Sequence, residues 1–447
     1  MTRTVEIPLW ALLLLIGFAA VTFASHFLFP SVRWFFRRRM ERAVERLNQR
    51  LTRPIAPFKL ARRHDMIQRL LYDPDVTRAI VDHAYRTGVP EDVAFQQARA
   101  HAREIVPSFS ASLYFGFAIR VARWLSQAVY DVRLSHADAP ALQAADPDAT
   151  LVFVMNHRSN MDYVLVTWLA GEDAALAYAV GEWARVWPLS RLIRATGAYF
   201  IRRRPRDNLY RRVLARYVRL ATEAGVTQAV FPEGGLSLDG ALGTARLGLL
   251  KYIVEGHDTT HRDVVFVPVS LNYDRVFEDR LLVAAARTRR RKFPARISVV
   301  ARFVLRHFWR RLRGRDRHHG IAAVRFGRPL SLSAHRSACP DSGVRALADE
   351  LMRRIGAEIP LLPVPLLARR LLHAPGPVAE ADLLKDLPGE DVAAGRKALK
   401  ILSGRGLIAR CDMPAGEAAE WAPVGCERPL LAYYAASIRH LFCQSGC

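Results

Sequence analysis

Val152-Phe-Val-Met-Asn-His-Arg-Ser-Asn-Met-Asp162 decides how the rest of the chain is read. An apolar run, Leu151 to Met155, stops at Asn156; His157 and Asp162 follow, with Arg158 and Ser159 between them. A short β-rich run ending in polar residues reads as a strand that delivers its C-terminal end into a site. Asp162 lies five residues after His157. On a straight helix that spacing turns about 140°, at roughly 100° per residue. The two side chains therefore meet only if His157 lies in the turn before a helix and Asp162 in its first turn. So placed, the carboxylate accepts the Nδ1 proton, fixes the tautomer and leaves Nε2 free as a base. Taken alone, a histidine near an aspartate is more often an ordinary turn pair than a catalytic dyad.

Outward from this stretch, strand and helix signals alternate from Leu151 to Phe326. Strands are expected at Leu151–Met155, Leu176–Val180, Ala198–Ile201, Gln228–Phe231, Val264–Ser270, Ile297–Phe303 and Ala322–Phe326. Amphipathic stretches such as Leu209–Ala221 and Ala241–Ile253 separate several of them. The alternation predicts an α/β fold, a sheet covered by helices, whose sites gather at strand C-terminal ends.

The flanks differ from this middle. Ile7 to Phe29 carries no charge and is long enough for one bilayer span. Arg33-Trp-Phe-Phe-Arg-Arg-Arg39 follows, which places that end in the cytoplasm by the positive-inside rule. A cleavable signal peptide is the rival reading, weakened because the charge follows the apolar run. Met40 to Val132 is patterned as helices. Ser110 to Tyr130 is its most apolar part and reads as a core helix or a membrane-facing one. The tail after Ser342 reads as mostly helical, with a winged-helix pattern in Glu380-Ala-Asp-Leu-Leu, Gly395-Arg-Lys-Ala-Leu-Lys-Ile-Leu and Gly404-Arg-Gly-Leu-Ile-Ala. The expected divisions are a transmembrane anchor (1–31), a helical domain (32–136), the α/β domain (137–335) and a C-terminal helical domain (336–447).

The chain has 447 residues, 51% hydrophobic, and a net charge of +24. That size holds two or three domains. A mean hydropathy of +0.02 excludes both a disordered chain and a multi-span membrane protein. The arginine-driven charge favours anionic partners, phospholipid headgroups, nucleic acid or phosphorylated substrates; a merely soluble basic face accounts for it equally. A basic, aromatic-interleaved block from Arg287 to His319 has the same two readings, an anionic membrane surface or a solvated face. The five cysteines, Cys339, Cys411, Cys426, Cys443 and Cys447, show no zinc-ligand spacing and fit reduced thiols.

Three further strand ends carry chemistry. Gly197-Ala-Tyr-Phe-Ile-Arg-Arg-Arg204 runs a strand into arginines whose forks match phosphate oxygens. Val230-Phe-Pro-Glu-Gly-Gly-Leu-Ser-Leu-Asp-Gly240 offers Gly234 and Gly235 for close backbone approach to an anion, and Glu233 as a ligand for substrate hydroxyls. Val265-Phe-Val-Pro-Val-Ser-Leu-Asn-Tyr-Asp-Arg275 is a buried strand interrupted by Pro268, which implies an edge or a bend beside a site. No Gly-x-Ser-x-Gly elbow is present, which disfavours a serine hydrolase.

In this order the four stretches resemble the four blocks of the glycerolipid acyltransferases. His157-Arg-Ser-Asn-Met-Asp162 matches the H-x-x-x-x-D block, and its His-Arg-Ser form resembles the glycerol-3-phosphate and dihydroxyacetone-phosphate branch. Gly197-Ala-Tyr-Phe-Ile-Arg202, Phe231-Pro-Glu-Gly-Gly-Leu-Ser237 and Val267-Pro-Val-Ser-Leu-Asn-Tyr-Asp-Arg275 match the other three. The tail phrases Leu367-Ala-Arg-Arg-Leu-Leu-His373 and Leu431-Ala-Tyr-Tyr-Ala-Ala-Ser-Ile-Arg-His-Leu441 resemble the bacterial membrane glycerol-3-phosphate acyltransferase.

The resemblance implies direct acyl transfer from acyl-CoA or an acyl carrier protein thioester to the sn-1 hydroxyl of glycerol-3-phosphate, with His157 as base oriented by Asp162. It implies substrate contacts from Arg158, Ser159, Phe200, Arg202, Arg203, Glu233, Gly234, Gly235, Ser237 and Pro268. It requires no metal and no organic cofactor. It also implies an anionic lipid surface as a partner, no nucleic acid, and a catalytic domain on the cytoplasmic side of the inner membrane behind a single-pass anchor. Acylation of a lysophosphatidate is the alternative within the class. A non-catalytic, membrane-tethered protein binding anionic lipid or nucleic acid is the alternative outside it. One departure stands out: many members have arginines in block three where this chain has Leu236 and Leu238. Arg202, Arg203, Arg204, Arg246 and Lys251 are left as candidates for the acceptor phosphate.

Overall fold

A computed structural model describes residues 8–171, 174–181, 189–202, 207–288, 319–385, 387, 392–411 and 419–442, with residues 19–37 and 40 described by backbone alone. The chain divides into two compact units, Met1–Pro54 and Ile55–Cys447. The expected divisions at 136/137 and 335/336 both fall inside the second.

The first unit contains one helix, Leu9–Asn48. Among the described residues no helix is long and apolar enough to cross a membrane. The expected single span over Ile7–Phe29 is therefore not supported. Its described apolar part, Leu9 to Phe18, reaches about 15 Å, about half of a hydrocarbon core.

In the second unit, eight strands form one sheet: β1 (Asp131–His136), β2 (Thr150–Met155), β3 (Ala177–Gly181), β4 (Tyr199–Ile201), β5 (Gln228–Val230), β6 (Val264–Tyr273), β7 (Ile321–Phe326) and β8 (Leu330–Ser331). Their order is β1-β7-β6-β2-β5-β3-β4, with β8 also beside β6. The pairs are parallel except β6 with β7 and β6 with β8. β2 sits between β6 and β5, and all of its residues are buried. Its side chains alternate as a pleat requires. Leu151, Phe153 and Met155 enter one core, and Val152 and Val154 enter another.

The first core is closed by the helices Met161–Leu169, Pro363–His373 and Arg428–Ala436. The second is closed by Arg63–Leu71, Pro74–Thr87, Glu91–Ile105, Asn208–Glu223 and Val344–Ala357. Local signals set these helices. For Pro74–Thr87, Asp73 accepts the Asp75 N–H at 3.0 Å, proline opens the first turn, and Gly88 closes it at φ 68°.

Three expectations shift. β1 falls within the expected helical domain, because an exposed edge strand lacks a period-two apolar pattern; it pairs with β7 along its length. The helix expected over Ala241–Ile253 is confined to Gly248–Val254. The residues before it bond back to block three instead: Gly243 N–H to Glu233 Oε2 at 2.9 Å and Arg246 N–H to Pro232 O at 2.7 Å. Pro268 lies in a central strand, opposite Val154, not at a sheet edge. Its carbonyl accepts the Gly327 N–H at 2.8 Å. The missing proline N–H faces that same side, where β8 gives way to β7, so no rung to β2 is lost.

The strand expected at Ile297–Phe303 and the basic block at 289–318 lie outside the described residues. The tail adds a small antiparallel sheet of β9 (Val378–Ala379), β10 (Ile408–Arg410) and β11 (Glu420–Pro423) in the order β10-β11-β9. With the helices Glu380–Leu384 and Val392–Gly404, it supplies the elements of the winged-helix pattern.

Candidate active site

β2 ends at Met155 and the helix Met161–Leu169 begins six residues later. His157 therefore lies in the connecting turn and Asp162 in the first helical turn, the placement the spacing demands. His157 Nδ1 stands 2.8 Å from Asp162 Oδ2, with both residues buried. The same oxygen accepts the N–H groups of Arg158 at 2.7 Å and Ser159 at 3.0 Å, while Oδ1 accepts the Tyr273 hydroxyl at 2.5 Å. Burial, and then the Asp162 carboxylate, hold the Tyr273 phenol well above its ordinary pKa, so it stays a proton donor. Nδ1 thus donates to Asp162 and Nε2 is left as the basic nitrogen. The imidazole lies against Phe231, ring centres 4.2 Å apart, and meets the edge of Tyr163 at 5.3 Å.

The backbone of the histidine is fixed as firmly as its ring. Its N–H donates to Glu233 Oε1 at 2.9 Å, and its carbonyl accepts the Ser237 N–H at 3.0 Å. One residue earlier, Asn156 uses its side-chain amide as an extra rung to β6. Nδ2 donates to Leu271 O at 2.9 Å and Oδ1 accepts the Leu271 N–H at 2.8 Å. Block three therefore grips His157, and block four grips both Asn156 and Asp162.

Glu233 bridges the His157 and Gly243 N–H groups with its two oxygens. Burial raises its pKa, partly offset by those two donors. Gly234 sits at φ 67° in the turn beside the half-buried Gly235. Ser237 Oγ donates to Ala241 O at 2.8 Å, and Ser159 Oγ donates to Glu278 Oε2 at 2.8 Å. Both hydroxyls are engaged away from His157, so neither is set up as its nucleophile. Arg158 is 3% exposed; its Nη1 donates to Gly240 O and its guanidinium lies 5.2 Å from the Tyr433 ring centre.

Block two is arranged differently. Phe200 is fully buried, with the Arg194 guanidinium over its ring at 5.2 Å. Arg202 is held by a carboxylate from the helix Glu91–Ile105: Nε donates to Glu104 Oε1 at 3.0 Å and Nη2 to Oε2 at 2.8 Å. Arg203 and Arg204 lie outside the described residues. In block three, Leu236 and Leu238 pack against the main core. Lys251 is half-exposed and pairs with Glu255 at 3.4 Å. Tyr273 stands within block four, and only the fold shows that it meets Asp162.

An acyltransferase family model matches residues 138–272, which hold the first three blocks and the fourth as far as Asn272. A glycerol-3-phosphate acyltransferase of Xanthomonas campestris is 24% identical over 92% of this chain and 49% of its own length. One from Xylella fastidiosa is 26% identical over 78% of this chain and 42% of its own. One from Pseudomonas entomophila is 31% identical over 56% of this chain and 30% of its own. The chain thus spans about half the length, or less, of these curated relatives. A solved 1-acyl-sn-glycerophosphate acyltransferase from Thermotoga maritima is 18% identical, with a TM-score of 0.32 over 64% of this chain and 97% of its own, a likeness too slight to weigh. With three blocks and most of the fourth inside the matched residues, the chain carries an acyltransferase domain, and over its length it is similar to glycerol-3-phosphate acyltransferases.

Proposed function

We propose that the chain transfers an acyl group from an acyl thioester to the sn-1 hydroxyl of glycerol-3-phosphate, an opening step of phospholipid synthesis, with His157 as general base. The buried His157–Asp162 contact of 2.8 Å carries this reading. Nε2 takes the hydroxyl proton as the oxygen attacks the thioester carbonyl. The tetrahedral intermediate then collapses, the C–S bond breaks, and the imidazolium returns the proton to the thiolate. No acyl-enzyme forms.

Arg158 supports an anionic acceptor. Its Nε and Nη2 are buried without a hydrogen-bond partner among the described residues, two donors available to a phosphate oxygen close to the base. Arg202, Arg203 and Glu233 belong to the same acceptor reading, Arg202 by exchanging Glu104 for substrate. Phe200, Ser159, Ser237, Gly234, Gly235 and Pro268 shape its surroundings.

A membrane-surface location with anionic lipid, on the cytoplasmic side of the inner membrane, completes the reading. Leu9, Trp10, Leu12 to Ile16 and Phe18 are exposed on the first helix, an apolar surface suited to a membrane. Independently, Phe117, Val121 and Trp124 are exposed within the run Tyr114–Val129, alongside exposed Arg120 and Arg123.

The test offers glycerol-3-phosphate, dihydroxyacetone phosphate and a lysophosphatidate, each with acyl-CoA and with acyl carrier protein. Glycerol-3-phosphate is expected to be preferred, and His157→Ala to lose at least about 1,000-fold in kcat with an unchanged circular dichroism spectrum. A preference for lysophosphatidate would move the reaction one acylation later. Full activity of His157→Ala would overturn the mechanism.

A further inference from the structure

Glu278 lies just past β6, and no motif or spacing in the sequence marks it. Its carboxylate nevertheless holds the turn that joins His157 to Asp162. Oε2 accepts from Ser159 Oγ at 2.8 Å; Oε1 accepts the Asn160 N–H at 3.2 Å and Asn160 Nδ2 at 2.9 Å. Asn160 precedes the helix Met161–Leu169, which has no side-chain cap of its own. Glu278 thus brings a carboxylate to the positive end of that helix from 118 residues away.

The next residue faces the other way. Asp279 is 3% exposed, and its Oδ2 accepts from Arg405 Nη2 at 2.6 Å and from the Tyr434 hydroxyl. Arg405 Nη1 donates to the Tyr434 oxygen at 3.0 Å, and the Val276 N–H donates to it at 3.2 Å. Arg280 adds a contact to Glu427 at 3.0 Å. Three consecutive side chains therefore divide their bonds: Glu278 to the catalytic turn, Asp279 and Arg280 to the C-terminal region.

We propose that Glu278 is a positioning residue for the His157–Asp162 pair, held in place by Asp279, Arg405 and Tyr434. The C-terminal region is then part of the catalytic machinery through this contact. The proposal rests on the reading of His157 as the base. Losing the carboxylate frees the turn, and a displacement of about 1 Å at the base costs on the order of 100-fold in rate while leaving acceptor binding in place.

The test uses the full chain with Glu278→Ala, Glu278→Gln and Tyr434→Phe. Glu278→Ala is expected to lose about 30- to 100-fold in kcat with acceptor KM within about 3-fold. Glu278→Gln, which keeps one acceptor oxygen for Asn160, is expected to recover most of that loss. Tyr434→Phe is expected to show the same kcat-only pattern at about 5-fold.

A second readout does not depend on turnover: the imidazole Nδ1–H resonance of 15N-histidine-labelled protein, identified by its loss in His157→Gln. It is expected to shift or broaden in Glu278→Ala and in Tyr434→Phe. If the unsubstituted protein transfers no acyl group, the functional reading fails, and the resonance still judges the positioning role. An unmoved resonance in Glu278→Ala overturns the proposal. Should that variant not fold, an unmoved resonance in Tyr434→Phe does so.

Discussion

The C-terminal ends of β2 and β4 carry the two chemistries that the sequence singled out, and the fold treats them oppositely. At the end of β2 the proposed catalytic pair, His157 and Asp162, is in hydrogen-bond contact. Four donors converge on Asp162, and the His157 backbone is bonded on both sides. At the end of β4 the leading arginine is occupied by a protein carboxylate, Glu104, 7% exposed. A general base works best when its geometry is fixed before substrate arrives, because each degree of freedom removed in advance is not lost in the transition state. An anion site has the opposite need. In the proposed reading of Arg202 as an anion ligand, a carboxylate that substrate can replace keeps its guanidinium aligned until then.

The largest expected effect breaks the β2 end. Asp162→Asn keeps the shape but presents an amide to four donors that now meet one acceptor oxygen fewer. It also loses the preference for the Nδ1–H tautomer. The expected loss is about 1,000-fold in kcat, with acceptor KM within about 3-fold. A pre-steady-state assay under saturating acceptor checks it. A loss confined to KM would mean that Asp162 serves the acceptor and not the base.

The next effect probes the β4 end through a cycle. Arg202→Ala strips the buried Glu104 of both Arg202 hydrogen bonds, which costs on the order of 1–3 kcal/mol of stability. Arg202→Ala with Glu104→Ala removes both charges and is expected to regain most of that stability. Acceptor KM is expected to rise about 10-fold in the single variant and to stay raised in the double, because the fork on the phosphate is gone in both. Thermal unfolding and acceptor saturation curves report the two quantities separately. If KM recovers together with stability, Arg202 serves the fold alone.

The two ends also differ in how far they could be read from sequence. The His157–Asp162 placement follows from residues five apart and the geometry of one helix start, so it was legible. The central strands were legible because their apolar runs are complete. Glu104 and Arg202 are 98 residues apart, and Tyr273 and Asp162 are 111 apart. No local period links such partners, and only the sheet order brings them together. β1 fails as a reading for a related reason: its pairing partner begins at Ile321, and its own exposed residues carry no alternation. Leu236 and Leu238, which break the block-three pattern, are ordinary packing residues in the fold. The signal for that was their type, two leucines in an otherwise polar, glycine-rich loop.

The smallest effect lies at the other end of β4. Lys59 is buried there, its Nζ donating to Leu176 O at 2.6 Å and standing 4.4 Å from the Phe109 ring centre. Its Cε lies where a side chain on Gly197 would have to go, 2.7 Å from an ideal Cβ, so a larger residue cannot replace that glycine without displacing the lysine. Burial lowers the Lys59 pKa well below 10.5 by stripping its ammonium group of hydration. The unfolded chain then binds a proton that the folded chain binds less well. The stability of the native protein accordingly rises with pH through the window between the lowered pKa and 10.5. Lys59→Met keeps the length of the side chain and removes the titration, so its stability lacks that rise. Near neutral pH the variant is expected to be at least as stable as the native chain. Approaching pH 10 the native chain is expected to gain on it, by about 1 kcal/mol for the bond to Leu176 that methionine cannot make. Urea unfolding midpoints of both proteins, compared at matched pH, measure the crossing. Parallel curves would mean that Lys59 keeps its ordinary proton affinity, and that the start of β4 is wetter than its packing indicates.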